Sequence, residues 1–297
     1  LLRQLRARAS RIEFVVANSI WYHQTFPVYP TFTDTVRHYF DAEVRALDFG
    51  NAASPGIISD WAAERTAGRI KDLVESIDPN EIMFLVNAVY FKAPWHMRFA
   101  QSETRAQPFT LPNGGSVNAQ MMFVDGTFSY VENQGVQAVE LLYGDTTFSI
   151  VLVMPRTGSS LDAATSILEP TQWGALISSM HRSRINLRIP KFRFEYEKKL
   201  TQPLSDLGMA IAFQPFQADF TKIANRDDIY ISRVQHKAFI EVNEAGTEAA
   251  AATSVGISVT SAPPELVFNR PFFFAIRERS TGTLLFVGRI ADPTQTE

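Results

Sequence analysis

Histidine is the side chain whose ordinary charge change falls between pH 5 and 8, so it is the natural place to look for chemistry. The chain has five: His23, His38, His96, His181 and His236. No two are spaced as HExxH, and no acidic set stands beside them in the pattern of a metal site. Cys is absent, which removes disulfides, thiol nucleophiles and Cys-ligated zinc. There is no GxSxG elbow, no GxGxxG and no phosphate-binding loop. "GGSVN" (114–118) comes nearest and lies in a turn. A triad assembled only by the fold stays open, but nothing in the sequence announces one. No catalytic residue, metal or cofactor is expected.

One stretch offers the chemistry of a substrate instead. "NEAGTEAAAATSVGISVTSAPPE" (243–265) starts with an alanine run, alternates like a strand, and ends in Pro263-Pro264. Proline permits neither a continuing helix nor a central strand. At period two, Thr247, Ala249, Ala251, Thr253, Val255, Ile257 and Val259 make one apolar or nearly apolar face. The other face is small or polar. A strand entering a sheet with one face on a core needs this pattern. Small residues at its start would let it pass between existing strands. The candidate neighbours are Glu81–Lys92 and Ile229–Val242, and the latter runs directly into the segment. A loop with strand potential, held outside a sheet, is a loop under tension.

The elements around it are mostly strands. Ile12–Trp21 is β-prone, and Glu81–Lys92 is an apolar run that reads as a strand covered on both faces. Thr31–Val44 reads as a helix capped by Thr33 or Asp34. Ile57–Ile77 reads as a longer one, with Ile58, Trp61, Ala62, Ile70, Leu73, Val74 and Ile77 at helical spacing. "LPNGGS" (111–116) is a turn, and Glu140–Pro155 is two strands around Gly144-Asp145. Ser160–Met180 is helical with a break at Pro170. Arg184–Phe194 is a strand, and Glu197–Leu207 a helix stopped by Gly208. Ile229–Val242, Phe272–Arg277 and Leu284–Ile290 complete the strands. With 45% hydrophobic residues, 23 Phe and no linker, this reads as one α+β domain over 1–297 with more sheet than helix. A net charge of −3 gives no pull toward nucleic acid or an anionic membrane, and no apolar run reaches the length of a membrane span. The opening Leu1-Leu2-Arg3-Gln4-Leu5-Arg6 reads as the end of a helix in progress, so the chain is expected to be N-terminally incomplete.

The chain resembles the serpins, a family of serine protease inhibitors. The residues that carry the resemblance are "FLVNAVYFKAPW" (84–95), "IPKFRFEYEKKLTQPLSDLGMAIAF" (189–213), "ADFTKI" (218–223), "HKAFIEVNEAGTEAAAAT" (236–253) and "FNRPFFFAI" (268–276). They occur in the family's order. The resemblance implies a large mixed β-sheet, smaller sheets, surrounding helices and a mobile reactive-centre loop, here about 244–264. It implies no enzyme but a suicide substrate. A protease cleaves the loop, and the loop then inserts as a new strand and traps the acyl-enzyme. Glu244, Gly246, Thr247, Glu248, Ala249, Ala250, Ala251 and Ala252 match the hinge of inhibitory members. Counting on from the hinge puts the bait bond at Thr260-Ser261. Ala245–Pro264 has no Lys, Arg or aromatic residue, so Thr260 suits the small apolar pocket of an elastase- or subtilisin-like serine protease; a cysteine protease is a further possible target.

Other residues carry over singly. Asn87 and His236 match the shutter pair beneath the sheet, and Trp95 the aromatic at the breach. Arg3, Arg6, Arg8 and Arg11 stand where some members bind heparin-like polyanions; a solvated helix face is the preferred reading. The expected partner is a target protease, with no nucleic acid and no membrane, and the protein is expected to be a monomer. The resemblance favours secretion to an extracellular location. The alternatives are a non-inhibitory member acting as carrier, chaperone or storage protein, and, more remotely, an unrelated hydrolase.

Overall fold

A computed structural model describes residues 12–133, 135–246 and 263–295. In chain order the strands and helices are β1 (Glu13–His23), α1 (Pro30–Phe40), β2 (Glu43–Leu47), α2 (Ser54–Arg65) and β3 (Met83–Lys92). β4 (Arg105–Thr110), β5 (Ser116–Glu132), β6 (Val136–Leu142) and β7 (Phe148–Pro155) follow. Then come α3 (Pro170–Ser179), β8 (His181–Pro190), β9 (Phe192–Lys199) and the short α4 (Thr201–Leu204). β10 (Val234–Val242), β11 (Glu265–Val267), β12 (Phe272–Glu278) and β13 (Leu284–Ile290) close the chain. One sheet is ordered β2-β1-β3-β10-β9; the other is ordered β11-β8-β5-β6-β7-β12-β13, with β4 paired to β5. Among the described residues, no helix is long and apolar enough to cross a membrane.

Two compact units result. One comprises the chain up to Glu13, Lys92–Phe194 and the chain from Ile240 onward; the other comprises Phe14–Phe91 and Glu195–Phe239. In the first, β7 is buried at every position, as an apolar strand between two neighbours must be. Trp173 and Leu176 of α3 pack on Val151, Val153, Phe273 and Ala275. The rings of Phe192, Phe272 and Phe274 meet at 5.6–6.1 Å. In the second unit, Ile58, Trp61 and Ala62 of α2 pack with Ile70, Leu73, Val74 and Ile77 against Trp21, Phe84, Val86, Ala88, Tyr90 and Phe239.

Several expected boundaries move. The first helix starts at Pro30 rather than near Thr33, because proline's fixed φ favours a first helical turn. The Thr33 hydroxyl instead donates to the Pro30 carbonyl inside the helix (2.8 Å). Asp41, at φ 51°, ends it, and the chain returns as β2, parallel to β1. The expected helix over 57–77 stops at Arg65. Thr66 Oγ1 donates back to the Ala62 carbonyl (2.7 Å) and also accepts from Ile70 N (3.0 Å). Ala67 and Gly68 then take positive φ. The apolar residues beyond are still buried, as a strap rather than a helix. Arg184–Phe194 divides at Lys191 into β8 and β9, which enter different sheets. β9 runs to Lys199, where a helix was expected from Glu197.

Candidate functional site

β10 ends in a tight turn, and that turn is tied down more heavily than its length requires. Asn243 N donates to the Gly246 carbonyl (3.0 Å) and Gly246 N to the Asn243 carbonyl (3.2 Å). The Asn243 side-chain oxygen accepts from Ala245 N (3.0 Å). Gly246 has φ +126°, and a Cβ there would stand 2.2 Å from the Ala93 carbonyl oxygen and 2.6 Å from Trp95 N. Only glycine fits that conformation so close to a neighbouring backbone.

Trp95 holds the turn from the side. Its backbone N–H donates to the Ala245 carbonyl (3.0 Å). Its indole N–H donates to the Asn243 carbonyl (2.8 Å). The ring is 3% exposed and lies flat on Tyr143, with centroids 4.6 Å apart and planes 8° apart.

Glu244 points into the same cluster. Its carboxylate accepts from Thr104 Oγ1 (2.7 Å) and pairs with Lys191 Nζ at 3.0 Å. Phe99 N donates to its carbonyl (3.2 Å). Burial alone would raise this carboxyl. The hydrogen bonds from Thr104 and Lys191, together with the lysine's charge, outweigh it and hold the group below its ordinary value. The break between β8 and β9 at Lys191 thus sets that lysine's ammonium against Glu244. Lys191, Thr104, Tyr143 and Asn243 were not singled out from sequence. Lys191 carries one signal, as the residue at which the apolar alternation of 184–194 slips.

The second cluster lies where β3 and β10 pair in parallel, with His236 opposite Asn87. His236 Nδ1 is 2.7 Å from Asn87 Oδ1. Asn87 Nδ2 donates to Asn18 Oδ1 of β1 (2.8 Å). With the amide so engaged, Asn87 Oδ1 is the acceptor, and the neutral imidazole carries its proton on Nδ1. Burial pushes the His236 pKa down. Asn18 and Asn87 line a largely apolar cavity of about 380 Å³ with Ile20, Val36, Leu85 and Val234. Asn18, missed in the sequence, gave no signal beyond lying in a strand.

Thr247, Glu248, Ala249, Ala250, Ala251 and Ala252 of the hinge lie outside the described residues. So do the bait bond Thr260-Ser261 and Arg3, Arg6, Arg8 and Arg11. No group of three His, Asp or Glu able to hold a metal occurs among the described residues.

Comparison with known proteins gives a consistent result. The profile of the family described as "Serpin (serine protease inhibitor)" matches residues 1–293. An uncharacterized serpin-like protein of Thermococcus kodakarensis is 36% identical over 93% of this chain and 66% of its own length. Human antithrombin-III is 34% identical over 95% of this chain and 63% of its own. The chain thus spans about two thirds of the length of these relatives. The crystal structure of a thermophilic serpin, tengpin, in the native state superposes with a TM-score of 0.88 at 29% identity, covering 98% of this chain and 77% of that one. Most members of this family inhibit proteases rather than catalyse reactions. By its profile, its relatives and its mixed-sheet fold, the chain belongs to the serpin family.

Proposed function

We propose that the chain is a single-use inhibitor of serine proteases, with Thr260-Ser261 as bait and Thr247–Val259 as the strand that inserts. The protease serine attacks the Thr260 carbonyl. The Thr260–Ser261 bond breaks, and the serine's proton passes through the protease's histidine to the new amine at Ser261. An ester to Thr260 remains, and insertion of the loop distorts the protease before water can cleave it.

The observation that carries this reading is the reversing turn Asn243–Gly246 at the end of β10. A chain that turns back there runs antiparallel to β10, and β3 and β10 are parallel to each other. Entry between them exchanges one parallel ladder for two antiparallel ones, which are the slightly more stable kind. Roughly a dozen new ladder bonds at ~0.5–1.5 kcal/mol each give on the order of 10 kcal/mol. A protease domain is stable by about 5–15 kcal/mol, so the work is of the right size.

Small residues through 249–254 support insertion, and the lack of Lys, Arg and aromatics in 245–264 supports an elastase- or subtilisin-like target. The test is to mix the purified protein with such proteases and run denaturing gels. A band at the combined mass that resists denaturation is expected. Loop cleavage without any trapped band, across a broad protease panel, would overturn the inhibitory reading in favour of a carrier, chaperone or storage role.

A further inference from the structure

Within the first unit two neighbouring strands part, and a cavity of about 140 Å³ opens in the gap. β5 and β6 are paired only where 129–132 face 137–140. Over 121–130 β5 is paired on its other side to β8, and past Glu140 β6 stays with β7. The gap lies between Thr127-Phe128 and Leu141-Leu142. His96 closes a third side: its N–H donates to the Leu142 carbonyl (2.8 Å), and its Nδ1 lies 3.0 Å from the Gly144 carbonyl oxygen. Met97 packs across Gly126, where a Cβ would stand 2.3 Å from Sδ.

One wall of the cavity carries opposite charges. Directly opposed residues of antiparallel strands share a face, so Arg182, Ser129 and Glu140 form one row across β8, β5 and β6. Thr127, two residues before Ser129, stands on the same face. Glu140 is 6% exposed. Ser149 Oγ donates to its Oε1 (2.7 Å), and the same oxygen lies 3.3 Å from Arg279 Nε and 3.6 Å from Arg277 Nε. Among the described residues all of these contacts fall on Oε1, and none reaches Oε2. At the other end of the row Arg182 is exposed and has no ion pair with a described residue. The hydroxyls of Ser129 and Thr127 have no hydrogen bond to one either.

A carboxylate oxygen without a donor and a guanidinium without a counter-ion thus line one cavity. We propose that it binds a small zwitterion, an α-amino acid with little or no side chain. The ammonium sits on Glu140 Oε2, the carboxylate on the Arg182 guanidinium, and the Ser129 hydroxyl lies between them. A lone anion would meet Arg182 and face Glu140; a lone cation would do the reverse. A zwitterion makes charge-assisted hydrogen bonds at both ends, and the planar guanidinium suits a carboxylate taken by two N–H groups. At about 30 Å³ per water the cavity equals four or five waters, room for the five heavy atoms of glycine. A longer side chain would run into Leu142 and Met97. The site uses neither the bait bond nor loop insertion, so it stands apart from the inhibitory reading.

The test titrates isotope-labelled glycine into the purified protein and reads binding from broadening of the glycine resonance and from calorimetry. Saturable binding is expected with a Kd on the order of 1 mM, within the ceiling for a ligand of five heavy atoms. Glycinamide lacks the carboxylate and acetate lacks the ammonium, and each should bind at least about tenfold more weakly. Arg182→Met, a change at an exposed position, should weaken glycine by about tenfold and leave glycinamide unaltered. Glu140→Gln should weaken both; if it does not fold, Arg182→Met still decides. The proposal is overturned if glycine shows no saturable binding up to about 50 mM, or if Arg182→Met binds it as wild type does. It is also overturned if leucine binds as tightly as glycine, since a ligand of that size does not fit between Leu142 and Met97.

Discussion

The indole N–H of Trp95 donates to the main-chain carbonyl of Asn243 at 2.8 Å, so the ring grips the backbone of the turn that ends β10. Stacking on Tyr143 sets the ring's plane, and the hydrogen bond sets the height of the turn against it. Trp95→Phe keeps an apolar ring and loses the donor. The Asn243 carbonyl keeps the Gly246 N–H and loses one of two donors, a net cost of about 0.5–1.5 kcal/mol. Urea unfolding should show a loss in that range, and a change below about 0.3 kcal/mol would mean the bond is not holding the turn.

Glu244→Gln retains an acceptor for Thr104 and removes the charge facing Lys191. Lys191 is more than a third exposed, so the loss at neutral pH should be modest, about 1 kcal/mol. Its pH dependence is more telling. The folded carboxyl titrates below its ordinary 4.5. Its stabilisation is therefore full above the unfolded value and disappears as pH falls through the folded one. Wild type and Glu244→Gln should differ at pH 7 and converge in acid below 4.5. A difference that persists at the lowest pH would point to packing rather than charge.

His236 gives a second window. Its folded pKa lies below 6.5 because of burial. Between those two values the unfolded chain binds a proton that the folded one refuses. Stability should be flat above 6.5, fall as pH drops through 6.5, and level off once the folded imidazole is itself protonated. His236→Gln should flatten that step in denaturation midpoints measured from pH 8 to pH 5. An unchanged step would assign the titration elsewhere.

At Gly246 the prediction is steric. With φ +126° and a backbone oxygen 2.2 Å from a would-be Cβ, Gly246→Ala should cost about 3 kcal/mol or more. A midpoint of thermal unfolding within a degree of wild type would show that the turn readily adopts another shape.

Under the proposed insertion mechanism, Ala251→Arg places a long cation in the segment that would enter the sheet. Cleavage should continue while trapping falls, turning inhibitor into substrate on denaturing gels. Undiminished trapping would count against insertion as the source of inhibition.

The sequence disclosed side-chain periodicity well and backbone path less well. Ile70, Leu73, Val74 and Ile77 fall at helical spacing and are buried, yet they lie in a strap beyond the end of α2. Spacing records which side chains are covered, and a strap can cover the same ones. The division of β8 from β9 shows in the sequence only as a slip of the alternation at Pro190-Lys191, from Ile185, Leu187 and Ile189 to Phe192 and Phe194, and the slip does not reveal that the two strands pair with different neighbours. β2 and β11, of five and three residues, are too short to show a period. At the site, the resemblance singles out Asn87, His236, Trp95 and Glu244, and the structure gives each a hydrogen-bond partner. Lys191, Thr104 and Asn18 enter from distant parts of the chain, and a single sequence has no way to pair them.

The strap has one more consequence. Burial and protection are usually a single property, since residues covered by a core also have their amides locked in a helix or ladder. Beyond Thr66 they separate. Ile70 and Leu73 are 0% and 1% exposed, yet from Lys71 to Ile77 the backbone follows no repeating ladder. Such a segment opens in small steps rather than as a cooperative unit. In hydrogen exchange, its amides should turn over well before those of β3 beneath, making this stretch soft in its main chain while dry in its side chains.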